Sequence, residues 1–329
     1  MKICFTLCSN NYYAQAKTLA DSFTNHNPNY LFFIIIVDKL LDENEYRITN
    51  QKNIIILPIS EVIDKKNLSS LVDKYNIIEL NTSVKASCFK FLARKYSASE
   101  IIFYLDPDIM VFNSFIDLEK KLHEYNILLT PHLVTPSIKY NNNNLEKSLL
   151  GVGVYNLGFI GINNNSESDN FIDWWEDRLF KVGYIDPINH YFVDQKWADF
   201  VPSYFDKVYI IRELGYNMAP WNIHERYITE YSNKNITINN EFKLYFFHFS
   251  KYYYKNKDVI SDGYGGATTL TRPDLKELYE AYYNQLISNN IEYYSKLKCQ
   301  LRFKSKKSIK YRLLLKIINA FEVKHKMYD

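Results

Sequence analysis

The sequence predicts an α/β fold: a mostly parallel sheet wrapped by helices. Two observations carry this prediction. Short runs of bulky residues, such as "LFFIIIVD" at 31–38 and "EIIFYLD" at 100–106, are apolar without alternation, the pattern of strands covered on both faces. Stretches with helical spacing separate such runs, and strand–helix alternation builds parallel sheets. Composition agrees. The 329 residues are 47% hydrophobic, enough for a substantial core, and 9 Gly and 9 Pro exclude a disordered or low-complexity chain.

In order, "KICFTLCS" (2–9) reads as a buried strand. "YYAQAKTLADSFTNH" (12–26) has helical spacing through Ala16, Leu19, Ala20 and Phe23. The run at 31–38 is a strand, and "NIIILP" (53–58) repeats its pattern. "SVKASCFKFLARKY" (83–96) reads as a helix leading into the strand at 100–106. The Asn-rich stretch 139–148 reads as a surface loop. Further on, "YNLGFIGINN" (155–164) is a strand and "SDNFIDWWEDRLFKV" (168–182) an amphipathic helix. "VDQKWADFVPSYF" (193–205) begins helically and is broken by Pro202. "EFKLYFFHFS" (241–250) is a strand with His248 near its end. "GYGG" (263–266) is a flexible loop, and 272–290 a helix with Pro273 in its first turn.

No run is long and apolar enough for a membrane-spanning helix, and the first 15 residues are too short in apolar content for a signal peptide. Cys4, Cys8, Cys88 and Cys299 form no C-x-x-C pair and read as reduced thiols, so a cytoplasmic chain is expected. Charge is uneven. Residues 296–329 hold 11 Lys or Arg against 2 acids, so a mildly acidic body carries a basic tail. Leu313, Leu314, Ile317, Ile318 and Phe321 give 300–326 an apolar helical face beside those cations. That pattern excludes nucleic acid as the favoured partner. It fits a helix on the anionic inner face of a membrane, or one packed on the body or a partner chain.

The informative stretch is "IIFYLDPDIMVF" (101–112), which sets Asp106 and Asp108 two apart at the end of a buried strand. A bare D-x-D arises by chance in a chain of this length, and as a bland alternative the pair caps a surface turn. Here Pro107 fixes the bend, and two carboxylates this close repel unless a cation lies between them. Oxygen ligands suit Mn²⁺ or Mg²⁺.

Six motifs, "FTLCSNNY", "YLDPDIMVF", "YNLGFIG", "FVDQKWADFVP", "GYNMAPWNIHER" and "FFHFS", occur in an order that resembles bacterial glycosyltransferases of the GT-A fold, family 8-like, over about residues 1–255. The resemblance implies a Rossmann-like GT-A domain over 1–270, with a nucleotide-sugar half (about 1–130) and an acceptor half (about 131–270). A helical basic extension follows at 271–329. It implies transfer of a hexose from a nucleotide-diphosphate sugar, foremost a UDP-sugar, to a surface glycan or lipid-linked oligosaccharide, with retention of configuration. The alternative is a non-catalytic carbohydrate- or nucleotide-binding protein on the same fold.

The resemblance also assigns roles. Asp106 and Asp108 hold the metal against the diphosphate, and His248 completes the shell; taken alone, a histidine among Phe and Tyr reads as a core residue. Thr6 and Tyr12 cradle the base and ribose, and Lys85 reaches the donor. Asn156 and Gly158 line the sugar site, and Asp194 and Gln195 lie near the anomeric carbon. Asn217, Trp221 and Asn222 shape the sugar or acceptor pocket, with Trp221 a stacking platform. Trp174, Trp175, Phe171 and Trp197 read as core. Family 8 enzymes follow the histidine with K-P-W, whereas this chain has "HFSKYYYKN", in which Lys251 stands in for that lysine.

Overall fold

The structure, a computed structural model, describes residues 1–42, 45–46, 53–138, 145–232, 235–263 and 266–303. The strands that matter are β1 (Lys2–Cys8), β2 (Tyr30–Ile36), β3 (Ile54–Pro58), β4 (Ile101–Leu105), β5 (Ile109–Val111), β6 (Ile127–Pro131) and β7 (Tyr155–Asn163). Seven strands form the central sheet, in the order Val208–Ile210, β6, β7, β4, β1, β2, β3. β1 runs parallel to β2 and β4, β2 to β3, and Val208–Ile210 to β6. β7 alone is reversed, antiparallel to both β4 and β6.

Residues alternate between the two faces, as a strand's period of two requires. On β1, Cys4 and Cys8 enter one apolar layer while Ile3, Phe5 and Leu7 enter the other. The first layer is covered by the helices Tyr13–His26 and Lys276–Ser288, which supply Leu19, Phe23, Leu278 and Tyr282. The second is covered by Lys85–Lys95 and Ser166–Val182, which supply Phe89, Leu92, Phe171 and Trp175. Where Phe103 of β4 faces Gly161 of β7, the ring lies so close that a Cβ would meet it at 2.6 Å, so this register needs glycine.

Several expectations change. The helix from Pro273 begins as a 3₁₀ turn, Pro273–Leu275, before Lys276–Ser288. Pro202 does not break a helix. It sits in the first turn of Val201–Tyr204, where its missing N–H costs nothing. The strand expected over 241–250 is split into Phe242–Lys243 and Phe246–His248. The Asn-rich loop gives way to a helix at Leu145–Val152; residues 139–144 lie outside the described residues. So do residues 264–265 of the glycine loop and all but the first four residues of the tail helix expected at 300–326, and those four are not helical. Among the described residues, no helix is long and apolar enough to cross a membrane.

Candidate active site

Parallel β1, β2, β3 and β4 all end at one edge of the sheet, and reversed β7 begins there. The edge therefore gathers the residues just after β4 and those that open β7. Asp106 comes directly after β4, and its N–H donates to Gly158 O on β7 at 2.8 Å. The chain then turns through Pro107 into β5, which pairs antiparallel with Phe246–His248 and sets His248 opposite Ile109. Phe249 N–H donates to Asp108 O and His248 N–H to Met218 O, each at 2.8 Å. Backbone bonds alone thus bring His248 beside the two aspartates.

His248 Nε2 lies 3.0 Å from Asp108 Oδ1 and 3.9 Å from Asp106 Oδ2. Asp106, Asp108 and His248 each offer a donor atom within 4.8 Å of the others, the single such group of three among the described residues. Donors about 2.1 Å from one octahedral ion stand about 3 Å apart when adjacent, so these residues fit Mn²⁺ or Mg²⁺. Burial alone would lower the His248 pKa, but the Asp108 carboxylate outweighs it and raises it. Burial likewise pushes Asp108 up, and His248 more than reverses that, holding the carboxyl below its ordinary value.

The histidine is held by shape. A Cβ at Gly158 would meet His248 Cε1 at 2.6 Å and Nδ1 at 2.8 Å. On another side lies the Trp221 indole, 5.2 Å from the imidazole and nearly perpendicular to it. Trp221 also meets the His132 ring edge-on at 5.4 Å. It is 5% exposed, so the sugar platform expected there is instead a buried wedge between two imidazoles.

Lys85 is the first residue of its helix and is 3% exposed. Its ammonium lies 2.6 Å from Asp194 Oδ2 and 3.5 Å from Asp106 Oδ1, and donates to Leu157 O at 2.8 Å. Burial opposes its charge, but the Asp106 and Asp194 carboxylates prevail and the pKa rises. For Asp194 burial prevails over Lys85, and its pKa also rises. The residue before it, Val193, has φ 43°, a left-handed conformation that a β-branched residue rarely adopts.

A buried polar network lies beside the metal donors. Asn156 Nδ2 contacts Gln195 Oε1 at 3.3 Å and His132 Nε2 at 3.4 Å. Its Oδ1 accepts from Gly158 N–H at 3.2 Å and from Asn217 Nδ2 at 3.1 Å. Gln195 donates to Val152 O at 2.9 Å. Asn222 Oδ1 accepts from Ala219 N–H at 2.8 Å, and its Nδ2 donates to the carbonyls of His132 and Asn217. Asn217 itself has φ 53°, which asparagine tolerates. Burial lowers the His132 pKa to about 4, so the ring is neutral, and its Nδ1 lies 3.1 Å from Val154 O.

Asp106, Asp108, Lys85 and Tyr12 line one cleft of about 520 Å³. The other walls include Ser9 and Asn11 from the first motif, Tyr104 from the second, and Ile77, Ile78 and Asn81, which no motif contains. Tyr12 is 44% exposed there. Thr6, expected at the nucleotide, is fully buried within β1 and does not line the cleft. Lys251 lies on an exposed turn at φ 58°, against Gly263, and does not line the cleft either. A larger groove of about 790 Å³ carries Lys90, whose ammonium is already paired with Asp173 and Glu176 at 2.7 Å each.

No protein-family model matches the chain. It is 23% identical over 250 residues to YfnF of Bacillus subtilis (strain 168), covering 75% of this chain and 80% of YfnF. With YfnD of the same strain it shares 21% over 248 residues, 74% of this chain and 76% of that one. Both are described only as uncharacterized proteins. Among solved structures, the galactosyltransferase LgtC in complex with donor and acceptor sugar analogs superposes with TM-score 0.51 at 16% identity, over 88% of this chain and 96% of LgtC. The fold is GT-A. The seven-stranded, mostly parallel sheet flanked by helices matches that architecture, and the D-x-D-like pair lies beside His248 at its edge.

Four outcomes are expected. Gly158→Ala should push His248 off its position and weaken Mn²⁺ binding by about 10- to 100-fold, read by isothermal titration calorimetry. Mn²⁺ must also expel the proton that Asp108 stabilises on His248, because only neutral imidazole ligates. The raised His248 pKa stabilises the metal-free fold below the unfolded value of about 6.5, and that contribution is lost as pH rises through the folded value. Mn²⁺ should therefore raise the melting temperature more as pH rises. Its affinity should fall about tenfold per pH unit below the His248 pKa, with about one proton released per ion in buffers of different ionisation enthalpy.

Proposed function

We propose that the protein is a metal-dependent glycosyltransferase that moves a hexose from a nucleotide-diphosphate sugar, foremost a UDP-sugar, to a glycan or lipid-linked acceptor. The observation that carries this reading is the convergence of Asp106, Asp108 and His248 beside a buried lysine at the mouth of a cleft at the carboxyl end of a GT-A sheet. Open α/β sheets hold their ligands at that edge.

Cleaving a sugar–phosphate bond builds negative charge on the departing diphosphate and positive character on the ring. When bound, a divalent cation neutralises the first of these. The chain's own groups prepare that site. The Tyr104 hydroxyl donates to Asp106 Oδ1 and fixes that carboxylate. Lys85, kept protonated by Asp106 and Asp194, sets a permanent positive charge in the cleft wall. Asp194 is bound to Lys85 and sealed from solvent, so in this reading it positions the ammonium and does not attack the anomeric carbon. Gln195 has both amide ends engaged and holds Asn156 near the sugar position.

The test is a donor screen. With Mn²⁺, one of the common nucleotide sugars should yield free nucleoside diphosphate. Asp108→Asn should cut that rate by about 100-fold or more, since a few kcal/mol of transition-state stabilisation is lost. Release that persists in excess chelator would sink the metal role. The basic tail supports a working place at an anionic leaflet, each cation contributing about 1 kcal/mol there. The full chain should co-sediment with anionic vesicles at low salt and be released by high salt; absence of co-sedimentation at low salt would remove that part of the reading.

A further inference from the structure

The last described residues, 296–303, run back across the sheet. They read KLKCQLRF, and their exposure alternates: Leu297, Cys299, Leu301 and Phe303 are half-buried, while Lys296, Lys298, Gln300 and Arg302 are exposed. Leu297 packs on the apolar layer of one sheet face, and Leu301 and Phe303 pack on the layer of the other. The segment therefore passes from one face to the other over the carboxyl edge, where the candidate site lies. It is anchored at both ends of that crossing. Upstream, Ile291 and Tyr294 are buried in the core, and the Tyr294 hydroxyl donates to Glu45 O. Above the sheet, Asp38 acts as a peg. It lies just past the end of β2, is 4% exposed, and accepts the Gln300 N–H on Oδ1 at 2.8 Å. Asn10 Nδ2 steadies its other oxygen at 3.1 Å.

Leu297 and Cys299 line the same cleft as Asp106, Asp108 and Lys85. Apolar surface from Tyr12, Ile78 and Leu297 there accompanies the side-chain amides of Asn11 and Asn81. A flat heteroaromatic ring with polar edges needs such a mixture: apolar area for its faces and a few donors and acceptors for its rim. The metal donors and Lys85 would take the diphosphate.

We propose that residues 297–303 form a strap that walls the nucleoside end of the donor site. Leu297 and Cys299 touch the nucleoside, and Asp38 is a positioning residue that holds the strap through Gln300. This rests on the donor reading above and extends it to residues that none of the six sequence motifs contains.

The test uses the full chain with Mn²⁺ and UDP, GDP, ADP and CDP, titrated by calorimetry. At least one nucleoside diphosphate should bind the unmodified protein. Leu297→Glu and Asp38→Ala should each weaken that binding about tenfold or more. Asp38→Asn keeps an acceptor for the Gln300 N–H and should recover most of the loss. Binding of Mn²⁺ alone, read by electron paramagnetic resonance, should be the same in all four proteins, which a general loss of structure would not allow. Should the variants not fold, hydrogen exchange on the unmodified protein decides, since amides of 296–303 should exchange more slowly once the nucleotide is bound. Nucleotide binding that is unchanged by Leu297→Glu, or exchange in 296–303 that ignores a bound nucleotide, overturns the strap and leaves the donor reading intact. No binding of any of the four to the unmodified chain overturns both.

Discussion

The contact on which the site depends is the ion pair between Lys85 and Asp194, sealed together beneath the cleft. Neither charge would tolerate burial alone, because desolvation of a lone ion costs several kcal/mol. Together, with Asp106 as a third partner and Leu157 O as an acceptor, they are compensated. The pair also ties distant pieces of the chain to one point. Lys85 opens a helix on one sheet face, Asp106 ends β4, Leu157 lies on reversed β7, and Asp194 comes after the strained Val193.

Around this pair, selectivity of shape comes from small and neutral parts. Gly158 leaves the room that His248 fills, and Trp221 packs edge-on against the same ring. His132 is kept neutral by burial, so it can steady Trp221 and Asn156 without adding a charge near the metal donors. A buried network of this kind favours one arrangement, because alternatives strand further donors and acceptors beyond Asn217 Oδ1 and His248 Nδ1, which already lack a hydrogen-bond partner.

How much of this was legible in the sequence depends on range. The strands 30–36 and 101–105 announced themselves because each is an unbroken apolar run, and 2–8 because it is largely apolar and leads into a helical period. The grouping of Asp106, Asp108 and His248 could be anticipated because two of them sit two residues apart at a strand end and the third sits in the last of the six motifs. Buried packing could not. Nothing in "GYNMAPWNIHER" says whether Trp221 faces solvent or a histidine, since that depends on His132, far away in sequence. Thr6 shows the converse: its place on β1 was legible, but its complete burial depends on tertiary packing that a local run does not report. His132 gave no signal, being a lone histidine after a strand. The alternation in LKCQLRF was present in the sequence, but it was eclipsed by the basic charge around it.

The crossing of 297–303 ties the last described residues to the first strands, with Gln300 bound to Asp38. Contacts of such sequence separation form late, since they close the largest loops. During synthesis the first half of the chain emerges early and can build β1, β2 and β4 with their helices, but one side of its cleft stays open until residues 297–303 have been made. An incomplete chain would thus carry the metal donors without the full enclosure. Arrival of residues 297–303 closes that side of the cleft.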